Sequence, residues 1–249
     1  MIRVLLVCGS LQRTSTNRAA VDVARAALSA SAVEVSTFVG HGSIPPLNSD
    51  RDDDPGDAVL DFRAQIRAAD AVLIAAPEYA GAIAGVVKNA LDWVVGSGDF
   101  YGKPVALLSA GTSGGIFARR DLMRTLSWQG ANVVASLGIE AANSRSVPDA
   151  DGGRRFTDPT TLNDIGALVS SLVASVAQRP SERFGQITRL ARDAGIECHR
   201  RRGRVPLSAA SPVPRDPPGG AETVLRRAAC IRPGFSLARQ LRDRPAPPR

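Results

Sequence analysis

The amino-acid sequence predicts an α/β fold, namely a doubly wound, five-stranded parallel sheet with helices on both faces. Two observations support this fold class. Short β-branched segments alternate strictly with segments whose apolar residues recur at helical spacing, such as Val21, Ala24 and Leu28. The β-branched segments are apolar almost throughout, which is typical of parallel strands that are covered on both sides.

The elements that follow from this pattern all lie within residues 1–178. The predicted strands span residues 2–7, 33–38, 71–76, 105–109 and 132–137. The predicted helices span residues 17–30, 57–69, 83–95, 115–129 and 162–177. The last helix carries a clear start signal, because Asp158 is a favoured capping residue and Pro159 follows it at a position that proline prefers. We therefore predict one α/β domain over residues 1–178.

Composition excludes several classes of protein. With 44% hydrophobic and 22% charged residues over 249 positions, the chain has the composition of a globular protein. No apolar run approaches the roughly 18 residues of a membrane span, so no membrane association is expected. The three cysteines, Cys8, Cys198 and Cys230, form no CxxC pair and predict neither a disulfide framework nor a zinc site. This cysteine usage indicates a reduced, cytoplasmic setting.

Excess basic charge is confined to the C-terminal part of the chain. Residues 1–180 hold 16 Lys and Arg against 18 Asp and Glu, whereas residues 181–249 hold 15 Arg against 6 acidic residues and 9 of the 17 prolines. Such a composition predicts that residues 179–249 form an Arg- and Pro-rich extension that is largely disordered. Three interpretations of it are open: an inert extension, an arm that binds nucleic acid or anionic lipid, and a non-native extension.

In an open parallel sheet, ligands bind beyond the carboxyl ends of the strands, so function is sought in the loops that follow them. Three loops are candidates, at residues 8–16, 77–82 and 110–115. The loop at residues 40–54 is long and acidic. We expect it to be a solvated excursion in which His41 is exposed to water.

The first candidate loop is rich in hydroxyl groups and leads into a helix. It reads Gly9-Ser10-Leu11-Gln12-Arg13-Thr14-Ser15-Thr16-Asn17. A helix N-terminus with Ser, Thr and Arg donors makes a pocket for a phosphate dianion. An ordinary N-cap cluster explains the same residues, since Ser and Thr are preferred caps. The chain lacks a GxGxxG after the first strand and a complete GxxxxGK[ST], so dinucleotide-fold and nucleoside triphosphatase interpretations are not favoured.

The second loop and the helix after it carry a longer motif. The segment reads Pro77-Glu78-Tyr79-Ala80-Gly81-Ala82-Ile83-Ala84-Gly85-Val86-Val87-Lys88-Asn89-Ala90-Leu91-Asp92-Trp93. It resembles the NADPH-dependent FMN reductase family, flavodoxin-like proteins with a pattern close to PEYN-x-S-x-P-G-x-LKNA-x-DW after a GS-x-R-x-x-S-x-N phosphate loop. Gly9, Ser10, Ser15 and Asn17 match the phosphate loop, and Arg13 lies one place beyond the usual Arg. The alternative is a plain strand–turn–helix in which Asp92 and Trp93 pack.

The resemblance covers about residues 1–178 and implies an NAD(P)H-dependent flavin oxidoreductase of flavodoxin-like fold. It implies FMN as cofactor, NADPH or NADH as co-substrate, and an acceptor such as a quinone, an azo compound or free flavin. The flavin N5 atom carries the chemistry in this family, so no catalytic side chain and no metal are expected. Relatives usually form dimers, which implies a homodimer or a higher homo-oligomer.

The resemblance also assigns cofactor-binding residues. The phosphate would lie against Gly9, Ser10, Arg13, Ser15 and Asn17. The flavin ring would be framed by Pro77, Glu78, Tyr79 and Ala80, and its polar edge would face Gly111, Thr112, Ser113, Gly114 and Gly115.

This chain departs from the family pattern at three positions. Ala80, Ala82 and Ala84 stand where the family usually has Asn, Ser and Pro. Loss of side-chain polar contacts predicts weak or exchangeable FMN, although the backbone groups of the loop remain available to the ring edge. The departures leave a second interpretation open, an FMN-binding carrier or interaction module without turnover.

The third loop, residues 111–115, permits two interpretations. Its glycine-rich turn before a helix offers backbone donors to the negative charge that reduced flavin carries near N1 and O2. The same residues match GxSxG, the nucleophile elbow of α/β-hydrolases, with Ser113 as nucleophile. The only histidine downstream, as that fold requires, is His199, beside the Arg run of the extension. In the following helix, Arg119 and Arg120 are interpreted as exposed charges, with a contact to the 2′-phosphate of NADPH as the alternative.

Overall fold

The central feature of the computed structural model is a five-stranded parallel sheet, which the chain builds within residues 1–178, the part that the structure describes. In chain order the elements are β1 (Ile2–Cys8), α1 (Thr16–Ser29), β2 (Val33–Phe38), α2 (Asp57–Ala68), β3 (Ala71–Ala75), β4 (Glu78–Tyr79), β5 (Ala82–Ile83), α3 (Gly85–Asp92), β6 (Pro104–Ala110), α4 (Ile116–Trp128), β7 (Asn132–Ile139), α5 (Ala142–Arg145), β8 (Ser146–Pro148), β9 (Arg154–Phe156) and α6 (Pro159–Val176). The predictions for residues 179–249, including disorder and nucleic-acid contact, lie outside the described residues.

The strand order of the sheet is β2-β1-β3-β6-β7, and every pairing is parallel. This is the order of a flavodoxin-like, doubly wound sheet, whose switch point lies between β1 and β3. The predicted fold class is therefore confirmed.

Helices cover both faces of the sheet, which explains why its strands lack polar alternation. On one face, α2, α3 and α4 bury Phe62, Leu91 and Leu122 against the strands. On the other face, α1 and α6 bury Val21 and Ile165. Each strand position therefore meets a helical layer on one side or the other, and β1, β3 and β6 are buried along most of their length.

The predicted strands and helices all form, with boundaries that shift by a few residues. The helix predicted at 83–95 is shorter, since α3 spans Gly85–Asp92 and the residues before it join the β4–β5 hairpin. Helix α6 begins where its capping signal predicts, because the Asp158 carboxylate accepts the Thr161 N–H at 2.9 Å. The β8–β9 hairpin and α5 are additions that the sequence pattern did not predict.

The segment after β2 is not the solvated excursion that its acidic residues suggest. Its first turn, Gly40–Ser43, buries the His41 ring, which is 2% exposed. The ring centroid lies 5.1 Å from that of Phe38 and 5.9 Å from that of Phe62. The prediction of an exposed His41 is wrong because β2 and α2 supply aromatic cover that the composition of the loop does not reveal.

Burial has a direct effect on the His41 imidazole. Desolvation lowers the pKa of His41 to about 4, and the nearby Cys8 backbone opposes that shift. Neither ring nitrogen has a hydrogen bond of normal geometry to another residue within 1–178. The folded protein therefore holds this histidine neutral at physiological pH.

Two further findings concern the described part of the chain. None of the helices within residues 1–178 is long and apolar enough to cross a membrane. Cys8 is buried at the end of β1, where desolvation raises the pKa of its thiol.

We expect the protein to lose stability as the pH falls from about 6.5 towards 4. The unfolded chain takes up a proton on His41 near pH 6.5, whereas the folded chain resists protonation until about pH 4. The free energy of unfolding should therefore fall by about 3 kcal/mol across this window. Urea unfolding of the wild type and of His41→Leu at several pH values tests this. Equal pH dependence in the two proteins would contradict it.

Candidate functional site

The loops after β1, β3 and β6 enclose a cleft of about 380 Å³ at the carboxyl edge of the sheet. The ends of these strands are level, because Cys8 pairs with Ala75 and Ala75 pairs with Leu108. Their loops therefore meet at the switch point. The residues that line the cleft are Ser10, Gln12, Thr14, Ser15, Thr16, Asn17, Pro77, Glu78, Tyr79, Ala110, Gly111, Thr112, Ser113, Gly115 and Asn143.

Hydrogen-bond donors dominate the first loop. Ser10 and Ser15 are buried, and Thr14 and Thr16 line the cleft with them. Ser15 is the N-cap of α1, where its hydroxyl oxygen accepts the Asn17 N–H at 3.1 Å, so its own proton can be donated into the cleft. The loop contains no carboxylate, and the N-terminus of α1 adds partial positive charge. This part of the cleft is therefore suited to an anion.

Asn17 connects the first loop to the third. Its side-chain oxygen accepts the Ala110 N–H at 2.9 Å, and its side-chain NH₂ donates to the Ala110 carbonyl at 3.0 Å. Thr16 Oγ1 donates to the same carbonyl at 2.8 Å. Because both ends of the buried Asn17 amide are occupied, this side chain positions the loops against each other.

Two glycines permit close approach of the backbone around the cleft. A β-carbon on Gly9 would lie 2.3 Å from Cγ2 of Val87. Gly115 has a φ of +60°, and a β-carbon there would lie 1.9 Å from Oγ of Ser109. That hydroxyl is itself fixed, since it donates to the Ala76 carbonyl at 2.7 Å. Neither glycine can be replaced without moving a loop.

Glu78 fixes the second loop to helix α4. Its Oε2 accepts the backbone N–H of Phe117 at 2.7 Å and that of Ala118 at 3.1 Å. These donors belong to the first turn of α4, where a carboxylate is stabilised by the helix dipole. The neighbouring Tyr79 is 58% exposed and lines the cleft.

Ala80 and Gly81 form the two-residue turn of the β4–β5 hairpin, with φ values of +51° and +72°. Positive φ at both positions is the type I′ geometry, which favours the sequence Asn-Gly. Alanine in this conformation costs about 1 kcal/mol. The departure from the family pattern at Ala80 is therefore a matter of backbone conformation as well as of lost polar contacts.

The third loop folds back onto β7 and the residues after it. The Gly111 and Thr112 carbonyls accept the N–H groups of Ala142 and Ala141 at 3.2 Å and 3.1 Å, respectively. The Gly111 N–H donates to the Ile139 carbonyl at 3.1 Å. This loop is therefore held by the end of β7 and by the residues that follow it.

Arg119 is not the exposed helix charge that the sequence suggests. Its half-buried guanidinium donates from Nε to the Gly114 carbonyl at 3.0 Å and from Nη1 to Ser136 Oγ at 3.1 Å. Burial lowers the pKa of Arg119, and the Glu140 and Glu78 carboxylates oppose that shift. The prediction is wrong because the third loop and β7 enclose the guanidinium.

Arg120 and Arg13 differ from Arg119 in their surroundings. Arg120 is exposed, as predicted. Arg13 directs one guanidinium nitrogen towards the β8–β9 turn, 3.3 Å from where a β-carbon on Gly152 would lie. Its side chain is not part of the cleft lining, whereas that of the preceding Gln12 is.

The second half of the family motif lies outside the cleft lining. Asn89 Nδ2 and Trp93 Nε1 both donate to the Pro45 carbonyl at 2.8 Å. Lys88 and Asp92 form an ion pair of 2.6 Å along α3. These residues secure the segment after β2, and the buried Trp93 packs in the core.

The cleft lining includes most of the predicted cofactor-binding residues and omits Gly9, Arg13, Ala80 and Gly114. It also contains residues that the sequence analysis did not assign, namely Gln12, Thr14, Thr16, Ala110 and Asn143. Most of these adjoin assigned residues of the same loops. Asn143 follows β7, whose carboxyl end lies at the same edge, so strand order was the signal that could have found it.

Ser113 lacks the partners of a hydrolase nucleophile within residues 1–178. His41, the histidine of that range, is buried beside Phe38 and Phe62 and has no hydrogen-bond partner there. The GxSxG interpretation therefore gains no support from the described residues. The downstream His199 lies outside them.

A flavodoxin-like sheet with an anion-suited loop at its switch point defines the class of doubly wound α/β proteins whose ligands bind at this edge of the sheet. The family model described as NADPH-dependent FMN reductase matches residues 2–144, and the chain belongs to this family. It is accordingly an NAD(P)H-dependent oxidoreductase that uses FMN. The fold, activity and cofactors implied by the resemblance are confirmed.

Curated relatives agree with this assignment. An NAD(P)H-dependent FMN reductase of Pseudomonas aeruginosa is 37% identical over 159 residues, which cover 61% of this chain and 83% of the relative. A 2-hydroxy-1,4-benzoquinone reductase of a Burkholderia species is 38% identical over 127 residues, covering 49% of this chain and 68% of that protein.

Solved structures agree as well. The flavoenzyme NAD(P)H:acceptor oxidoreductase FerB of Paracoccus denitrificans superposes with a TM-score of 0.59 at 28% identity, covering 71% of this chain and 97% of that one. An apo NADH:FMN oxidoreductase, at 17% identity and a TM-score of 0.53, supports the fold alone.

We expect Ala80→Asn to stabilise the protein by about 1 kcal/mol, because asparagine tolerates positive φ better than alanine does. Gly81→Ala should destabilise it by a similar amount, since no atom lies within 4 Å of the added β-carbon and only backbone strain changes. Thermal unfolding of the two variants and the wild type measures both effects. Equal melting temperatures would show that the turn carries no such strain.

Proposed function

We propose that the cleft binds FMN with its phosphate against the first loop, its ring beside residues 77–80, and its polar edge towards residues 111–115. We further propose that a quinone is the electron acceptor. The observation that carries the proposal is the hydroxyl-rich, carboxylate-free first loop at the switch point, where Ser10 and Ser15 are buried.

The residues present fit the phosphate of FMN. Ser10, Thr14 and Ser15 offer hydroxyl protons, and no carboxylate competes for the site on this loop. Helix α1 begins at Thr16 and directs its partial positive charge at the same place. In this proposal Asn17 acts through the loops that it joins, and Arg13 acts as a nearby positive charge.

The residues present also fit a flat ring with one polar edge. When bound, FMN accepts a hydride from NAD(P)H and passes the electrons to the acceptor. The third loop supports this chemistry with backbone N–H groups placed where negative charge develops. The Glu78 carboxylate accepts, through Oε2, two N–H groups of the first turn of α4 and so holds the second loop in place. The protein therefore contributes orientation and charge stabilisation.

The acceptor proposal rests on the relatives and on the cleft. Relatives of 32–39% identity are named NADPH:quinone oxidoreductases or quinone reductases, and another is named an NADPH azoreductase. Tyr79 stands exposed at the cleft, where a planar acceptor can stack. We commit to a quinone, with azo compounds and free flavin as alternatives.

Oligomeric state and location are part of the same proposal. We place the protein in the cytoplasm, as its cysteine usage indicates, and propose a homodimer or a higher homo-oligomer, as the resemblance implies. Support comes from large apolar side chains at the surface along and beside α4, including Phe117, Trp128 and Tyr101. Burying such side chains against a second copy would remove them from water.

Turnover tests the function directly. The full-length protein should oxidise NADPH when FMN is supplied, and a benzoquinone should raise the rate. The loss of nicotinamide absorbance measures both. FMN binding without NADPH oxidation would favour the carrier module, and turnover with an azo dye but not with a quinone would change the acceptor.

Ser15→Asp tests the phosphate site. Aspartate caps a helix as well as serine does, so α1 should keep its stability, while the new charge repels the phosphate. We expect FMN affinity to fall at least 100-fold, or roughly 3 kcal/mol, as measured by quenching of flavin fluorescence. Riboflavin, which lacks the phosphate, is the matched control and should bind both proteins alike. Equal losses of affinity for FMN and riboflavin would show that the phosphate does not bind at this loop.

A further inference from the structure

The third loop gives two of its carbonyl groups to the segment that follows β7. The Gly111 and Thr112 carbonyls accept the N–H groups of Ala142 and Ala141. In a trans peptide the carbonyl and the following N–H point in opposite directions. The N–H groups of Thr112 and Ser113 therefore point away from that segment, and both residues line the cleft.

The peptide between Gly114 and Gly115 is oriented differently. Among residues 1–178, no backbone N–H is bonded to the Gly114 carbonyl, and the Arg119 side chain holds it at 3.0 Å from Nε. Gly114 and Gly115 both have positive φ, at +65° and +60°. Glycine allows many other conformations, and the bond from the Arg119 side chain favours this one. With the carbonyl on Arg119, the Gly115 N–H points away from that guanidinium, and Gly115 lines the cleft.

Arg119 is itself held from a second strand. Its Nη1 donates to Ser136 Oγ at 3.1 Å. Gly138 provides the space, because a β-carbon there would lie 2.7 Å from both the Arg119 guanidinium and the Gly114 carbonyl oxygen. Strand β7 therefore leaves space for one guanidinium beside the Gly114 carbonyl of the third loop.

We propose that Arg119 is a positioning residue for the flavin. It fixes the Gly114–Gly115 peptide so that the Gly115 N–H points at the polar edge of the ring, and it places a cation behind that edge. The inference rests on the proposed FMN site. Because reduced FMN carries more negative charge at this edge than oxidised FMN, Arg119 should favour the reduced form and raise the reduction potential of the bound flavin.

The experiment compares Arg119→Gln with Arg120→Gln in the full-length protein. Arg120 is the matched control, since it is adjacent to Arg119 and exposed. Its substitution removes the same formal charge. Fluorescence quenching gives the affinity for oxidised FMN, and a redox titration with a reference dye gives the midpoint potential. We expect Arg119→Gln to weaken the binding of oxidised FMN several-fold and the binding of reduced FMN about tenfold more than that. This difference corresponds to a midpoint potential about 30 mV more negative. Arg120→Gln should leave both near wild type.

Two more variants separate positioning from general damage. Arg119→Lys keeps the charge but cannot reach Gly114 and Ser136 together, so it should restore only part of the potential. Ser136→Ala removes one anchor and should give a smaller shift in the same direction, which also serves if Arg119→Gln fails to fold. If the wild type binds FMN and the Arg119 and Ser136 variants keep the wild-type affinity and potential, the inference about Arg119 is overturned and the proposed FMN site stands. A wild type that binds no FMN would overturn the proposed function with it.

Discussion

The site depends on one side-chain amide. Asn17 bonds both the N–H and the carbonyl of Ala110, at 2.9 Å and 3.0 Å, and thereby joins the start of α1 to the end of β6. In a parallel sheet, adjacent strands are level at their carboxyl ends but the loops beyond them have no ladder to hold them. Asn17 thereby bonds the last residue of β6, beyond the Ala75–Leu108 pair that ends the β3–β6 ladder. It is 3% exposed, so water does not compete for these bonds.

The remaining loops are braced in the same way, each by a group from another element. Glu78 joins the second loop to α4, and Arg119 joins the third loop to β7. Each brace uses a polar group that would otherwise be unpaired, either the first N–H groups of a helix or the carbonyl of a glycine turn. Polar contacts to other elements therefore hold each of these loops in place. This leaves the cleft surface free to be polar.

Prediction from sequence succeeded where a pattern repeats and failed where a single contact decides. The parallel, doubly covered sheet follows from alternating apolar strands and helices, and the match to the family motif located the second loop. His41 and Arg119 were misplaced because their burial depends on individual contacts with Phe38, Phe62 and Ser136, which no repeating pattern of the sequence marks. The role of Asn17 could not be inferred either. An asparagine at this position suits a contact to a ligand and a bond to Ala110 equally well, so the residue type does not distinguish the two roles.

The alanine departures from the family pattern bear on this last point. Ala80, Ala82 and Ala84 are absent from the cleft lining, and Ala84 is buried just before α3. The donors that the cleft presents come instead from the first and third loops, which the departures do not touch. Replacing polar residues in the hairpin therefore changes how the second loop is held more than what the cleft offers to an anion. A site whose donors are backbone N–H groups and serine hydroxyls can tolerate such changes as long as its braces persist.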